Sequence, residues 1–309
     1  MPTPSRFKAI LHRILRQAGY ELHTAQYWDR LREWQKPVAP PGHFYSPYPD
    51  LAYIRNHEER IFSTDKTIVD VDLREDEQRI LLNALAQFYP AVPFSVVSAP
   101  GHRYSYDNPN YSFADAIILY AVLRYLQPRT LIEVGCGYST AATLDTNELF
   151  LQNAVQVVCV EPYPDLLLSL LKEGDRQRIR LITANVQEME LSTFDVLGPG
   201  DVLFVDSTHV SRTDSDVNFL LFEVLPRLAS GVWIHFHDVF FPFEYPPHWV
   251  YEGRAWQEQY LVRVLLQTPS AYRIRYFHDM MVVRHRSFFE AHMPLCLRNR
   301  GASLWIEKV

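Results

Sequence analysis

Leu131-Ile132-Glu133-Val134-Gly135-Cys136-Gly137-Tyr138-Ser139-Thr140 is the stretch on which the reading of this chain turns. It runs from a short apolar strand through a glycine turn into the start of a helix. The acid Glu133 stands just ahead of the first glycine. Glycine has no Cβ, so such a turn brings backbone close to a ligand. In an open α/β sheet the turn lies at the carboxyl ends of the strands, where ligands bind. A glycine pair alone is a weak signal, because an ordinary strand–turn–helix uses the same residues. The surrounding pattern has to carry the rest.

Downstream, strand and helix alternate. After the strand Thr130–Val134 the periodicity gives a helix over Ser139–Leu151 and a strand Val155–Val160 ending in Glu161-Pro162. A helix Asp165–Lys172 precedes the strand Ile179–Thr183, which runs on to Ala184-Asn185. The strand Asp201–Val205 ends at Asp206 and is followed by a helix Ser215–Leu228. The strand Gly231–His235 leads into Phe236-His237-Asp238, and a helix Ala255–Gln267 follows. Such alternation predicts a mostly parallel, doubly wound sheet with right-handed crossovers. Two more strand patterns, Tyr272–Phe277 and Met280–Arg284, are separated only by His278-Asp279. So short a connection forbids a parallel crossover and predicts a C-terminal antiparallel hairpin. The tail Ser303–Lys308 reads as an added edge strand.

Upstream, Asp72–Tyr89 is helical in pattern, and the polar, aromatic loop 101–111 opens a helix Ser112–Leu126 with Ser112 as its N-cap. Residues 1–70 read as an N-terminal appendage, with 71–309 as the main domain. In the appendage, Phe7, Ile10, Leu11, Ile14 and Leu15 recur at helical spacing among basic residues. A helix docked on this protein or on a second subunit, giving a homo-oligomer, is preferred there over a membrane-surface helix. A second helical pattern surrounds Tyr27–Trp34, and proline-rich, aromatic turns follow to Pro49.

Composition bounds the function. The chain has 309 residues, 48% of them hydrophobic, enough for one large domain with a real core. Its net charge of −6 leaves no electrostatic footprint for a nucleic-acid partner. No apolar run is long enough to span a bilayer. The three cysteines, Cys136, Cys159 and Cys296, are isolated, which suits a reducing, cytoplasmic compartment and shows no metal-binding cysteine spacing.

Residues of about 112–284 resemble a class I S-adenosylmethionine (SAM)-dependent methyltransferase domain. Glu133-Val134-Gly135-Cys136-Gly137 is similar to the family's first motif, and Glu161, Asn185 and Asp206 end the next three strands in the family's order. The resemblance implies a Rossmann-like methyltransferase sheet and SAM as cofactor. Gly135, Cys136, Gly137 and Ser139 would pack on its methionine part, Glu133 would support its amino group, and Glu161 would accept both ribose hydroxyls. Asn185 would meet the adenine edge, and Asp206 would lie near the transferable methyl. A dinucleotide-binding reading fares worse, since Thr140 stands where its third glycine would be.

A second constellation, Asp206-Ser207-Thr208-His209 with His235-Phe236-His237-Asp238, follows two strands expected to be neighbours. It resembles a branch of the family with an Asp-x-x-His turn and a His-Asp pair, found in small-molecule and sugar O-methyltransferases. Carried over, Asp206, His237 and Asp238 are candidate ligands of a divalent metal, Mg or, given the histidine, a softer ion. Without metal, His209 or His237, with Asp206, would deprotonate a small-molecule acceptor. The aromatic, proline-rich loop Phe240–Tyr251 reads as a lid or pocket wall, or as a packed connection. Asp216, Trp256 and Glu258 lie nearby with no assigned role. Two alternatives stay open: a metal-dependent hydroxylase similar to the cephalosporin hydroxylase group, and a non-catalytic scaffold that keeps the fold.

Overall fold

The computed structural model describes residues 38–268 and 270–309. The helical patterns expected at 7–15 and 27–34, and with them the expected subunit contact, lie outside the described residues. The chain divides into two units between Asn56 and His57. In the first, the described residues form turns, such as Gly42 N–H donating to the Tyr48 carbonyl at 3.1 Å. A short helix, Leu51–Arg55, follows. Asp50 caps it, Oδ1 accepting from the backbone N–H of Ala52 at 2.8 Å and of Tyr53 at 3.2 Å.

The second unit is built on a sheet of seven strands: β1 (Thr130–Val134), β2 (Gln156–Val160), β3 (Ile179–Ile182), β4 (Val202–Val205), β5 (Trp233–Phe236), β6 (Tyr272–Phe277) and β7 (Leu304–Lys308). Their order is β3-β2-β1-β4-β5-β7-β6. β1 to β5 pair in parallel, as the strand–helix alternation requires. β1, β4 and β5 are buried along their whole length, which is why they read as continuous apolar runs.

The sheet closes with antiparallel pairing, but through different residues from those expected. β7 is antiparallel to both β5 and β6, so β6 again runs with the first five strands. Met280–Arg284 is not a strand: His278–Arg284 is helical, and the chain leaves the ladder where His278 N–H donates to the Ser303 carbonyl at 3.0 Å. Met280 and Met281 are buried, and a short apolar run fits a buried helix as well as a strand. The partner of β6 is the tail, which lies inside the sheet and not at its edge. Leu304, Trp305 and Ile306 are fully buried, as an interior strand requires.

The helices that position the site are α1 (Phe113–Leu126), α2 (Tyr138–Phe150), α3 (Asp165–Leu170), α4 (Asp216–Phe219), α5 (Glu258–Leu266) and α6 (His278–Arg284). Ser112 sits at the N-cap position of α1, yet its hydroxyl donates to the Tyr106 carbonyl at 2.9 Å. The free N–H of Ala114 is instead satisfied by Asn299 Oδ1 at 2.8 Å. The helix expected over Ser215–Leu228 is broken: α4 passes into a wide turn at Leu220–Val224 and a tight one at Leu225–Arg227. Pro226, which has no N–H to give, ends the regular bonding there.

The loop before α1 is anchored by Arg103. Its guanidinium binds Asp175 at 2.6 and 2.7 Å, Asp145 at 2.8 Å and Glu148 at 2.7 Å. Burial opposes the charge, but these carboxylates hold the guanidinium pKa above its ordinary value.

Candidate active site

The strand ends are locked side by side. The N–H of Gly135 donates to the Val160 carbonyl at 3.0 Å, that of Glu161 to Ile182 at 3.1 Å, that of Asp206 to Val134 at 2.9 Å, and that of His237 to Val205 at 2.9 Å. Each residue just past a strand is thus fixed by the last carbonyl of its neighbour. A cavity of about 510 Å³ opens there, lined by Gly135–Ser139, Glu161, Asp206–His209, His237 and Asp238. A second, of about 370 Å³, continues past Glu161 to Tyr163 and Asn185. The two share Gly135, Glu161 and Asp206–Thr208.

Gly135 must be glycine. Its φ is +83°, and a Cβ would lie 1.8 Å from the Asp206 carbonyl oxygen. Glu161 braces the loop: Oε2 accepts from Cys136 N–H at 3.0 Å and Oε1 from Tyr163 N–H at 2.8 Å. Thr140 has its own task, its hydroxyl accepting from Gly137 N–H at 3.1 Å. Glu133 is buried behind the loop and does not line the cavity. It accepts a 2.5 Å hydrogen bond from the Ser139 hydroxyl, so its path to the cavity runs through Ser139. Burial, reinforced by the Asp206 and Glu161 carboxylates, pushes its pKa up to about 8. Asn185 lines the second cavity, with its amide on Glu188 at 2.9 Å.

The structure brings the two histidine–aspartate motifs together. His209 Nε2 lies 3.5 Å from Asp206 Oδ1 and 3.5 Å from Asp238 Oδ2. His237 Nε2 lies 3.4 Å from Asp238 Oδ1. Asp206, His209 and Asp238 form a group whose three ligand atoms lie within 4.8 Å of one another, a spacing that suits a cation. His237 flanks this group on the Asp238 side. His235, one turn of the pleat away, is stacked on Phe204 at 3.9 Å in the core and is a packing residue.

Charge is distributed unevenly over the cluster. Burial opposes protonation of His209, but Asp206, Glu258 and Asp238 raise its pKa well above the ordinary value. His237 is raised in the same way by Asp238 and Asp206. Burial likewise opposes ionisation of Asp206, yet His237 and His209 hold its carboxyl below the usual range. Burial raises Asp238. Burial and the neighbouring His237 push His235 well below the ordinary histidine value, so it stays neutral.

Residues given no role in the sequence turn out to hold this geometry. Asp216, at the start of α4, accepts from Thr208 N–H at 2.8 Å and the Thr208 hydroxyl at 2.7 Å, fixing the Asp206–His209 turn. Glu258 Oε2 is 2.8 Å from His209 Nδ1, and the Trp256 ring lies 4.5 Å from the His209 ring. Of the aromatic loop, Phe240, Phe241, Phe243 and Tyr245 are buried packing residues, whereas Trp249 lines the cavity with Trp256. Arg254 lies over both indoles, at 4.1 and 5.0 Å. Loop 240–251 is therefore half packed connection and half pocket wall.

Residues 132–239, from β1 to the residue after Asp238, match the family model of a methyltransferase domain. An uncharacterized protein of Archaeoglobus fulgidus is 30% identical over 189 residues, which cover 58% of this chain and 83% of that protein. Among solved structures, the chain is similar to a Podospora anserina methyltransferase with bound S-adenosylhomocysteine (17% identity, TM-score 0.42, 63% of this chain and 77% of that one). It is similar also to the O-methyltransferase TomG of Streptomyces achromogenes with SAM (14%, 0.39, 84% and 96%). A third is a CmcI structure described with Mg and SAM (16%, 0.36, 62% and 68%).

Proposed function

We propose that this chain is a SAM-dependent methyltransferase that methylates a hydroxyl oxygen of a small or sugar-like molecule, a reading supported by the methyltransferase-domain match over residues 132–239. The observation that carries this reading is the convergence of Asp206 and Asp238 on His209 Nε2 at the cavity wall. An alcohol is a poor nucleophile until its proton is removed, so an O-methyltransferase needs a proton acceptor beside the reacting oxygen.

The cavities fit an adenosyl amino acid. Backbone of Gly135–Gly137 lines the first, Glu161 stands where the two meet, and Asn185 lines the second. Ser207 adds a buried hydroxyl with no hydrogen-bond partner among the described residues, at the wall of both. When bound, SAM supplies an electrophilic methyl on a positively charged sulfonium. The chain's own part is to hold the acceptor and take its proton. Against burial, His237 and His209 hold Asp206 ionised, so its carboxylate is ready to take the acceptor's proton while His209 carries the compensating charge beside it. Trp249 and Trp256 give the acceptor an apolar wall that excludes water. In His237→Ala and Asp238→Ala variants, methyl transfer is expected to fall while S-adenosylhomocysteine affinity is kept. Full activity in both variants would falsify the assignment.

A second reading adds a divalent cation between Asp206, His209 and Asp238, favoured by the 4.8 Å grouping of their ligand atoms. A mixed oxygen and nitrogen set suits Mn²⁺ or Fe²⁺ as well as Mg²⁺. Calorimetric titration with Mn²⁺ distinguishes the readings: uptake of one equivalent, lost in Asp238→Ala, supports the metal. The isolated, buried cysteines support a reducing, cytoplasmic setting. Among the described residues no helix is long and apolar enough to cross a membrane.

A further inference from the structure

We propose that Glu258 is a positioning residue, holding the His209 ring so that Nε2 faces the Asp206 and Asp238 carboxylates. This rests on the reading of His209 as part of the proton-removing cluster.

The ring is held from several directions. Glu258 Oε2 takes Nδ1 at 2.8 Å, and Trp256 lies against the ring at 4.5 Å. The His209 carbonyl accepts the N–H of Gln257 at 3.0 Å and of Glu258 at 3.2 Å, so the histidine and the start of α5 are bolted together. His209 also has a φ of +60°, a left-handed conformation uncommon for a side chain of this size and found where the surroundings enforce it.

Packing alone does not account for Glu258. The residue is 1% exposed, and its Oε1 has no hydrogen-bond partner among the described residues. A buried carboxylate with one oxygen unsatisfied costs stability that an apolar residue of similar size would not. As a first-turn acid it would favour the helix dipole from the surface, but here it is buried and turned onto the imidazole. A carboxylate on Nδ1 fixes the proton there and leaves Nε2 to act on the other side.

The test uses the full chain, tritium-labelled SAM and the small-molecule fraction of a cell extract as acceptor source. Glu258→Leu removes the acceptor of Nδ1–H, while Glu258→Gln keeps an oxygen there without the charge. Transfer is expected to drop about ten- to a hundredfold in Glu258→Leu, to recover partly in Glu258→Gln, and to leave S-adenosylhomocysteine affinity unchanged. By NMR on histidine-labelled protein, the slowly exchanging His209 Nδ1–H is expected in wild type and Glu258→Gln and absent in Glu258→Leu. Full transfer in Glu258→Leu, with transfer lost in His209→Asn, overturns the positioning role and leaves the cluster standing. Full transfer in His209→Asn overturns both. Should Glu258→Leu fail to fold, Glu258→Met, which also offers no oxygen to Nδ1, takes its place, and undiminished transfer in it overturns the proposal.

Discussion

A Cβ at Gly135 would stand 1.8 Å from the carbonyl oxygen of Asp206, so the glycine loop proposed to hold the cofactor and the residue proposed to act on the acceptor share one backbone contact. Any shift of the first moves the second. The left-handed φ of +83° adds to this constraint.

Gly135→Ala is therefore expected to destabilise the fold by at least about 1–2 kcal/mol from backbone conformation alone, and to abolish S-adenosylhomocysteine binding. Gly137→Ala is the control. Gly137 has an extended φ of −175°, and an added Cβ meets only the flexible Leu166 side chain, at 3.1 Å. Thermal unfolding and calorimetry on both variants check the contrast; equal damage in the two would contradict it.

Glu161→Ala removes the acceptor of two backbone N–H groups, those of Cys136 and Tyr163. It also removes the carboxylate expected to take the ribose hydroxyls. Hydrogen bonds to a charged group contribute about 1.5–3 kcal/mol each, so S-adenosylhomocysteine affinity is expected to fall at least about tenfold. Calorimetric titration measures it.

Glu133 gives stability a pH dependence. Its pKa in the folded chain is about 8, against an ordinary 4.5. Between those values the folded chain holds a proton that the unfolded chain has released. Stability from this group is thus full below the ordinary value and is lost as pH rises through the folded one. Glu133→Gln stays neutral at every pH. From about pH 5 to about pH 9 its melting temperature is expected to gain on that of the wild type. A constant difference across that range contradicts the shift.

Replacing Arg103 with Met leaves Asp145 and Asp175 buried with only Lys172, 3.7 Å from Asp145, as a neighbouring cation. Breaking a buried ion pair from one side costs about 3–5 kcal/mol. A loss of that size in chemical denaturation is expected; a change near zero would show that the network is solvated.

The legible and illegible parts of this chain divide by sequence distance. The strand Thr130–Val134 with its glycine turn, and the positions of Glu161 and Asp206 just past the next buried strands, are readable because each signal is local: a buried parallel strand is a continuous apolar run that stops at a polar residue; Asn185 lies three residues beyond the end of β3. The pairing of Asp206–His209 with His237–Asp238 followed from expecting β4 and β5 to be neighbours. Met280–Arg284 misled because Met280-Met281-Val282-Val283 has no period to separate helix from strand. Its place beside β6 belongs to Leu304–Lys308, whose insertion next to β5 is a long-range choice. Glu258 was hidden for the same reason. It lies 49 residues from His209, and in sequence it is an ordinary acid at the start of a helix. Asp216 is nearer, eight residues from Thr208, but only the folded turn shows both its oxygens taken up by that one residue.

The most direct test of the proposed chemistry is the transfer of labelled methyl from SAM to small-molecule acceptors, compared between wild type and Asp238→Ala at matched S-adenosylhomocysteine occupancy. The expected result is label on an ether oxygen with wild type and a loss of at least about tenfold in the variant. Undiminished transfer by Asp238→Ala, or label found only on nitrogen or carbon, would contradict it.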